Sequence, residues 1–224
     1  MTFFSDPLNL LMFAVAAIAG FKLWQVLGQR SGFEPTPTLQ PIKTEPSPTD
    51  LVLEPVASKP IWQGHAAEGS AMANALLRIA AKEPLFNTDS FIANAKQAHE
   101  HILEAFAKGD LPTLQPLLTP QTFQTFETEI SRRKQANEIA VFHFIGFKSV
   151  KLADAQMSAN NADTLAALVI AFESQIVTAI KDKTGSVISG DEKATTTIKE
   201  LWTFERDLSS AENAWRLADT HDHE

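Results

Sequence analysis

Cysteine is absent from this chain of 224 residues. Its absence excludes disulfides, thiolate zinc sites and cysteine nucleophiles. The chain also lacks an excess of positive charge, because 27 acidic residues against 19 basic ones give a net charge of −8. A nucleic-acid-binding protein normally needs a basic face, so this balance argues against a nucleic-acid partner. No P-loop, dinucleotide fingerprint, nucleophile elbow or HExxH helix is present, and we expect no catalytic residue, metal site or cofactor.

A long uninterrupted hydrophobic run is missing too, although the N-terminal region is strongly apolar. Leu10 to Phe21 carries no charge but is shorter than the roughly 20 residues that cross a bilayer. Apolar residues on either side extend it to spanning length if Lys22 reaches the interface and Trp24 lies in it. We therefore predict a transmembrane anchor within residues 1–30. Its predicted membrane residues are Leu10, Leu11, Phe13, Val15, Ile18, Phe21, Lys22 and Trp24.

A cleaved signal peptide and a buried or interfacial helix are the alternatives to an anchor. An Ala-Ile-Ala triplet before Gly20 resembles a cleavage site, but residues 1–7 contain Asp6 and no basic residue, unlike a signal peptide. Positive charge instead follows the span, at Lys22 and Arg30. By the positive-inside rule, this arrangement places the rest of the chain on the cytoplasmic side.

Residues 31–62 are predicted to form a linker. Seven of the chain's 12 prolines fall between Pro35 and Pro60. Proline removes a backbone donor and biases the preceding residue toward extended geometry, so neither a helix nor a sheet interior is expected here. A semi-rigid spacer between the anchor and a globular domain of residues 63–224 is the expected structure.

The first half of that domain is predicted to be helical. Helix-forming residues and three- and four-residue apolar spacing predict a helix over His65–Lys82 and a second from the capping residues Asn87-Thr88-Asp89 to Gly109. A short helical piece over Leu111–Leu118 follows, and Thr119-Pro120 opens a third long helix.

After Asn137 the apolar periodicity changes to two. Strands are predicted over Ile139–Leu152, around Leu168–Ile180, over Thr195–Arg206 and over about Ala214–Thr220, with turns at Thr184-Gly185 and Gly190-Asp191. Helices followed by an antiparallel meander indicate an α+β domain with helices on one face of the sheet.

The histidines do not suggest a metal site. His99 and His101 are two residues apart on a helix and point to different faces. His143 lies in a strand that looks apolar on both faces, which favours a core or pocket histidine over a ligand. His221–Glu224 is predicted to be a frayed polar tail.

Two segments resemble the Tim44-like domain family. The first is FIANAKQAHEHILEAFAKGD at Phe91–Asp110, followed by Leu114, Leu117 and Leu118. The second comprises VISGD at Val187–Asp191, LWTFERD at Leu201–Asp207 and Trp215-Arg216-Leu217. Together they extend over about residues 79–220, and LWQVLGQRSG at Leu23–Gly32 is similar to anchored bacterial members.

The resemblance implies a cystatin-like or NTF2-like fold in which helices and a curved sheet enclose an apolar pocket. It also implies contact with the inner membrane through the first helix of the domain, His65–Glu83. The candidate membrane-facing residues there are Met72, Leu76, Leu77 and Ile79. The candidate groove residues are Phe106, Phe126, His143, Phe172, Glu200, Trp202 and Phe204.

Glu200 is the polar residue of most interest, because it shares a strand face with Ile198, Trp202 and Phe204. A buried carboxylate needs a partner or access to a cavity. Two interpretations remain open: an ion pair with Arg206 or Arg78, or a pocket position that orients a polar head group.

The expected function is that of a scaffold or binding protein tethered in the bacterial inner membrane. Its partners would be membrane lipids and a polypeptide of the inner membrane or in transit across it, and a homo-oligomer is left open. A small-ligand carrier or an enzyme on the same fold is the alternative. The family's mitochondrial scaffold recruits its partners largely through a separate N-terminal region, which is here replaced by the anchor and linker, so a motor-recruiting role does not carry over.

Overall fold

The computed structural model of the protein describes residues 59–158, 164–210 and 214–223. Within these ranges four helices precede four strands. They are α1 (Ala71–Lys82), α2 (Thr88–Lys108), α3 (Leu111–Leu114), α4 (Pro120–Ala136), β1 (Ile139–Met157), β2 (Leu165–Lys181), β3 (Val187–Asp207) and β4 (Arg216–Asp222). The predicted anchor and nearly all of the predicted linker lie outside the described residues. None of the described helices is long and apolar enough to cross a membrane.

Helix α1 begins six residues later than the predicted His65. Gly69 has a positive φ of 73°, and Ser70 caps the helix by accepting a hydrogen bond from the Ala73 N–H at 3.1 Å. A side-chain cap satisfies one of the backbone donors that a helix leaves unpaired at its start. Residues from Pro60 to Ala67 form turns instead, held by bonds such as His65 N–H to the Trp62 carbonyl.

The two long helices begin where the sequence predicts, and α2 also ends at the predicted Gly109. The Asn87 side chain accepts from the Ser90 N–H at 2.8 Å at the start of α2, and Gly109 ends that helix with φ 69°. Thr119 caps α4 with Pro120 in its first turn, and Asn137 ends it with φ 55°. Glycine and asparagine tolerate this left-handed conformation better than other residues, so both C-termini follow from residue type.

The strands form one antiparallel meander in the order β1-β2-β3-β4. Alternation along β2 and β3 places one set of side chains on the inner face, where the helices cover them: Leu168, Ile170, Phe172, Trp202 and Phe204 are all buried. The polar residues Glu173 and Gln175 lie on the opposite face and are partly exposed. The predicted α+β domain, with helices on one face of an antiparallel sheet, is confirmed.

Strand β3 is longer than predicted because Gly190 lies within it and not in a turn. Gly190 pairs with Ala179, next to a shift in the β2–β3 register between Ile176 and Thr178. Its φ is 76°, and a Cβ at this position would lie 2.3 Å from the Thr178 carbonyl oxygen. The glycine therefore marks a strand irregularity with close backbone approach. The predicted turn at Thr184-Gly185 is confirmed between β2 and β3.

Strand β4 is short, and its ladder with β3 runs from Glu200 to Glu205. His221 and Asp222 pair with Leu201 and Glu200, so the prediction of a frayed tail is wrong for these two residues. Beyond the bond from His223 N–H to the Lys199 carbonyl, the first half of β3 pairs within the described residues only with β2.

The connection between α3 and α4 is tied to β4. The Leu217 N–H donates to the Leu117 carbonyl at 2.8 Å, and the Thr119 N–H donates to the Leu217 carbonyl at 2.9 Å. Leu118 and Leu217 are both buried in the core. This link fixes the start of α4 against the sheet and so positions one wall of the site described next.

Candidate functional site: an apolar groove with a buried carboxylate

A narrow groove with a cavity volume of about 50 Å³ lies between helices α2 and α4 and the inner face of the sheet. Its apolar lining comes from every strand except β4, and the polar lining is confined to a few side chains. The lining residues are Leu103, Phe106, Ala107, Thr125, Phe126, Glu129, Arg133, Ala140, Val141, Phe142, Ile176, Thr178, Ile198, Glu200, Trp202 and Thr220. Mostly apolar concave sites with a few convergent polar groups are typical of ligand-binding sites.

Aromatic rings and a buried arginine form the helical wall of the groove. The rings of Phe106 and Phe126 pack with centroids 4.6 Å apart, and the Arg133 guanidinium lies 4.5 Å above the Phe106 ring. Arg133 also donates to the Phe106 carbonyl at 2.5 Å. Burial lowers the pKa of Arg133, while the negative charge of Glu129 acts in the opposite direction. The side chain is thus fixed by stacking and by a carbonyl.

Glu129 is buried but not free to receive a ligand. Arg132 holds its two oxygens in a bidentate pair at 2.8 and 2.7 Å, and Arg133 Nε lies 3.9 Å from one of them. Arg132 also bonds to Glu138, and these hydrogen bonds raise the pKa of Arg132. This network stabilises the C-terminal turns of α4 along the groove.

Glu200 is the carboxylate at the sheet side of the groove, and its partner is His99. Glu200 Oε2 lies 3.1 Å from His99 Nε2, and the two residues are 3% and 0% exposed. A neutral imidazole that carries its proton on Nε2 can donate this bond, so the pair needs no second buried charge. His99 therefore satisfies one oxygen of Glu200 from behind, while the Glu200 side chain lines the groove.

His99 is held by aromatic rings on several sides. Its ring centroid is 4.4 Å from those of Phe172 and Trp202 and 5.3 Å from that of Phe147. This packing fixes the imidazole plane, and with it the position of the Glu200 carboxylate. Among the described residues, His99 Nδ1 has no hydrogen-bond partner.

Three further buried polar atoms belong to groove-lining side chains and have no hydrogen-bond partner within the part of the chain that the structure describes. They are Trp202 Nε1, Thr220 Oγ1 and Arg133 Nε. Unpaired buried polar groups are uncommon in folded proteins and cost free energy. Among the described residues no cluster of histidine and acidic side chains has the arrangement of a metal site.

Four of the seven predicted groove residues line the groove: Phe106, Phe126, Glu200 and Trp202. Phe172 and Phe204 lie in the adjoining core and are buried there. The placement of His143 in the core or pocket is wrong, because this residue is exposed. Its neighbour Phe142 lines the groove.

Of the two interpretations left open for Glu200, the ion pair with Arg206 or Arg78 is not the one observed, and Glu200 lines the groove. Arg206 bonds instead to Glu83 at 2.5 Å, and Glu200 pairs with His99, from which it is separated by 101 residues. The sequence does carry a signal for His99: it follows Ala95 by four residues and precedes Ile102 by three, within the apolar stripe of α2. A histidine inside such a stripe is buried, and a buried histidine needs a polar partner.

Helix α1 packs on the sheet through most of the residues predicted to face a membrane. Leu76 and Ile79 are fully buried and Met72 packs partly buried against the core, so the membrane-facing prediction is wrong for these three. Leu77 is 48% exposed on the opposite side of the helix. The apolar stripe of α1 is needed to cover β1, which explains why it is not presented outward.

The model of the Tim44-like domain matches residues 72–222, which include both long helices and the whole sheet. The chain belongs to the Tim44-like domain family. Its curated relatives include the mitochondrial import inner membrane translocase subunit TIM44 of Mus musculus and Rattus norvegicus, each 26% identical over 151 residues, and that of Homo sapiens, 24% identical. The matches cover 66% of this chain and 32% of the relatives, so the chain spans about a third of their length.

The Tim44-like domain also matches solved structures at low identity. The intermembrane space region of the chloroplast protein ARC6 matches at 9% identity with a TM-score of 0.42, over 58% of this chain and 94% of that one. An NTF2-like family protein of Streptomyces avermitilis, described as a putative dehydratase, matches at 13% identity with a TM-score of 0.32, over 60% and 98%. Scores this low do not assign the Tim44-like domain to either group.

Proposed function

We propose that this protein is a binding protein tethered in the bacterial inner membrane, and that its Tim44-like domain holds a lipid chain in the groove. The main support for this proposal is the groove itself, which is lined by Phe106, Phe126 and Trp202. Its few polar side chains mostly form hydrogen bonds within the protein. An acyl chain that enters by widening this narrow groove brings no polar groups that need partners. A polypeptide segment would bring an N–H and a carbonyl at nearly every residue, and the lining offers few partners for them.

The tether is supported by the apolar N-terminal segment and by the relatives. Residues Leu10–Phe21 carry no charge, and positive charge follows at Lys22 and Arg30. The curated relatives are named as subunits of an inner membrane translocase. The charge placement supports a single span with the domain on the cytoplasmic side.

The proposed activity is binding and not turnover. Both carboxylates of the groove already have partners, Glu129 in Arg132 and Glu200 in His99. General acid–base chemistry would need such a group within reach of a substrate proton and free to exchange it. His99 is fully buried behind Glu200 and is not among the lining residues.

Photocrosslinking of the full-length protein tests the lipid site. The protein is placed in phosphatidylethanolamine and phosphatidylglycerol vesicles that contain a long-chain lipid with a diazirine in its chain, irradiated, and mapped by peptide mass spectrometry. We expect labelling of α4 and β3 around Phe126 and Trp202. Ala107→Trp fills the groove and should abolish that labelling, whereas Ala93→Trp, on the exposed side of the same helix, should preserve it.

Four outcomes would contradict the proposal. The groove does not hold the lipid if labelling is confined to the N-terminal segment, or if Ala107→Trp leaves the labelling unchanged. If translocating polypeptides crosslink to the groove in cells instead, the occupant of the groove is a peptide. Chemical conversion of the unlabelled lipid recovered after long incubation would support the alternative of an enzyme.

Membrane fractionation tests the tether separately. We expect the full chain to resist carbonate extraction and its domain to be protected from protease in spheroplasts. Val15→Arg with Ile18→Arg should move it to the soluble fraction, because a charged side chain in the middle of a span costs about 2.5–3.5 kcal/mol. A double variant that still resists carbonate extraction would refute the tether. Digestion of the domain in intact spheroplasts would refute its orientation.

A further inference from the structure

A second concave site, here called the α2–β1 cleft, borders the first turns of α2, whereas the groove borders its last turns. The cavity volume of the cleft is about 430 Å³, compared with about 50 Å³ for the groove. Its helical wall consists of Asp89, Ile92, Ala93 and Lys96, and its other wall is Val150–Leu152 of β1. Spacings of three and four residues place the four helical residues on one face of α2, over about 10 Å.

Two lysines give the cleft an excess of positive charge. Lys96 and Lys151 both line it, and both are exposed. Within the described residues neither ammonium group has an ion pair or a hydrogen bond. Among the described lining residues the one carboxylate belongs to Asp89, and it already lies 2.9 Å from His65 Nε2. The two lysines are therefore available to an acidic partner.

The β1 wall offers backbone groups as well. In the described sheet β1 is an edge strand, since β2 alone is its ladder partner. Successive residues of an antiparallel ladder direct their N–H and carbonyl groups alternately toward the neighbouring strand and away from it. Val150–Leu152 pairs without a register shift, so at least one of its residues directs these groups outward. Ile92 is half-buried beside this edge, so the cleft combines an open strand edge with apolar surface, which suits an extended polypeptide.

The proline-rich linker contains one segment with a matching pattern. Residues 49–54, TDLVLE, are the longest stretch without proline between the first and last prolines of the linker. Proline lacks the N–H that pairing along a strand edge requires, so the shorter stretches suit such pairing less well. In an extended segment alternate residues lie on the same side, and Leu51 and Leu53 therefore share one side. Asp50 and Glu54 share the other side, which thus carries both carboxylates.

The same segment is within reach of the cleft. Ile61 lies at the start of α2, where its carbonyl accepts a hydrogen bond from Thr88 Oγ1 at 2.7 Å, and Gly64 lines the cleft. Glu54 precedes Ile61 by seven residues, which extend to about 23 Å at most. This reach is more than twice the length of the helical wall, so the chain can turn back and run along the cleft.

We propose that residues 49–54 dock in the α2–β1 cleft as a short additional strand beside β1. The two leucines of the segment pack on Ile92 and Ala93. Its two carboxylates pair with Lys96 and Lys151. Because the segment is tethered to the domain, its effective concentration at the cleft is of about millimolar order, which favours it over a free peptide. Docking shortens the linker that remains between the domain and the proposed anchor. The inference goes beyond the proposed function, because it concerns neither the lipid groove nor the membrane span.

Disulfide trapping in the full-length protein tests the docking, because the chain has no cysteine of its own to interfere. Pairs of cysteines are introduced, the protein is purified in a non-ionic detergent, and intramolecular disulfide formation under a mild oxidant is followed by non-reducing gel electrophoresis. We expect Leu53→Cys with Ala93→Cys to react about tenfold faster than Leu53→Cys with Asn94→Cys, because successive helix residues point about 100° apart. Asn94 is exposed and outside the cleft lining, so the control pair matches the test pair in linker length. Val52→Cys with Ala93→Cys should also react more slowly, since adjacent strand residues face opposite sides.

Charge reversal tests the ion pairs. Lys96→Glu with Lys151→Glu should slow the trapping to the rate of the control pair, because two attractions become repulsions. Adding Asp50→Lys with Glu54→Lys should restore most of the rate. Both cleft lysines are exposed, so these changes should leave the fold intact. Ala107→Trp, which fills the lipid groove, should leave the trapping rate unchanged, so the docking and the proposed function are tested independently.

Several results would overturn the docking while leaving the lipid site untouched. Equal rates for the test and control pairs, or no effect of the charge reversal, would show that residues 49–54 do not cover the cleft. A disulfide between two chains in place of the intramolecular one would make a second copy the occupant. A photocrosslinker attached to Ala93→Cys that captures another polypeptide in intact membranes, and not the linker, would make a separate partner the occupant.

Discussion

Replacing His99 by phenylalanine should destabilise the domain severely, although the ring and its volume are kept. The substituted ring can still pack against Phe172 and Trp202, which lie 4.4 Å from the imidazole. What is lost is the bond to Glu200, whose carboxylate is 3% exposed and would be left without its partner. Removing one member of a buried polar pair costs about 3–5 kcal/mol. Because Glu200 also borders the groove, where water can reach it, we expect the lower end, about 3 kcal/mol.

A double variant identifies the origin of that loss. His99→Phe together with Glu200→Met removes the carboxylate as well and replaces it with an apolar side chain of similar length. Replacing a buried pair by well-packed apolar residues is often neutral or stabilising. The double variant should therefore regain most of the stability that the single variant loses.

Urea unfolding of the full chain in a non-ionic detergent, followed by far-ultraviolet circular dichroism, measures these differences. The reasoning is refuted if His99→Phe costs less than about 1 kcal/mol, the net value of an ordinary hydrogen bond. It is equally refuted if the double variant is no more stable than the single one, since the loss would then come from packing around the ring.

Three further predictions concern backbone and charge. Gly190→Ala should destabilise the domain by more than about 3 kcal/mol, because its φ is 76° and a Cβ would lie 2.3 Å from a β2 carbonyl oxygen. The control Gly185→Ala, with φ 84° and open space around it, should cost only about 1–2 kcal/mol for the left-handed backbone, and similar losses of the two variants in urea unfolding would contradict the close approach. Asp222→Asn should raise the stability of the domain at neutral pH but not at about pH 3. The pKa of Asp222 is raised in the folded state, so ionisation of this carboxyl destabilises the fold as the pH rises from its ordinary pKa through the raised one. Equal effects of the substitution at both pH values would rule out ionisation as the cause. Asn137→Gly should leave the free energy of unfolding nearly unchanged, whereas Asn137→Ala should lower it by about 1 kcal/mol, because Asn137 has a φ of 55° at the end of α4. An equal loss in both variants would show that the side chain, and not the backbone conformation, matters.

Local signals predicted most of the helical boundaries correctly. Asn87, Gly109, Thr119 and Pro120 act through their own backbone geometry or through a bond three residues away, and such effects are readable from short stretches of sequence. Alternation along β2 and β3 likewise predicted the buried face that holds Glu200 and Trp202.

Other features depend on contacts that sequence spacing does not encode. An apolar stripe indicates that a helix face is buried but not what covers it, so Leu76 and Ile79 suited both a membrane and the sheet. The His99–Glu200 pair joins residues 101 positions apart, and only the packing of α2 against β3 brings them together. Glycine at a positive φ serves turns and strand irregularities alike, which explains the wrong turn at Gly190.

Because β4 is short, the part of β3 that lines the groove should be more rigid at one end than at the other. Glu200 and Trp202 lie where β3 is flanked by β2 and β4, whereas Ile198, also in the groove lining, lies where the described residues flank β3 with β2 alone. Amide protons before Lys199 should accordingly exchange with solvent sooner than those beside β4. The hairpin that carries Ile198 can then move while the Glu200 carboxylate keeps its place, so one strand supplies both a compliant part and a rigid part of the groove lining.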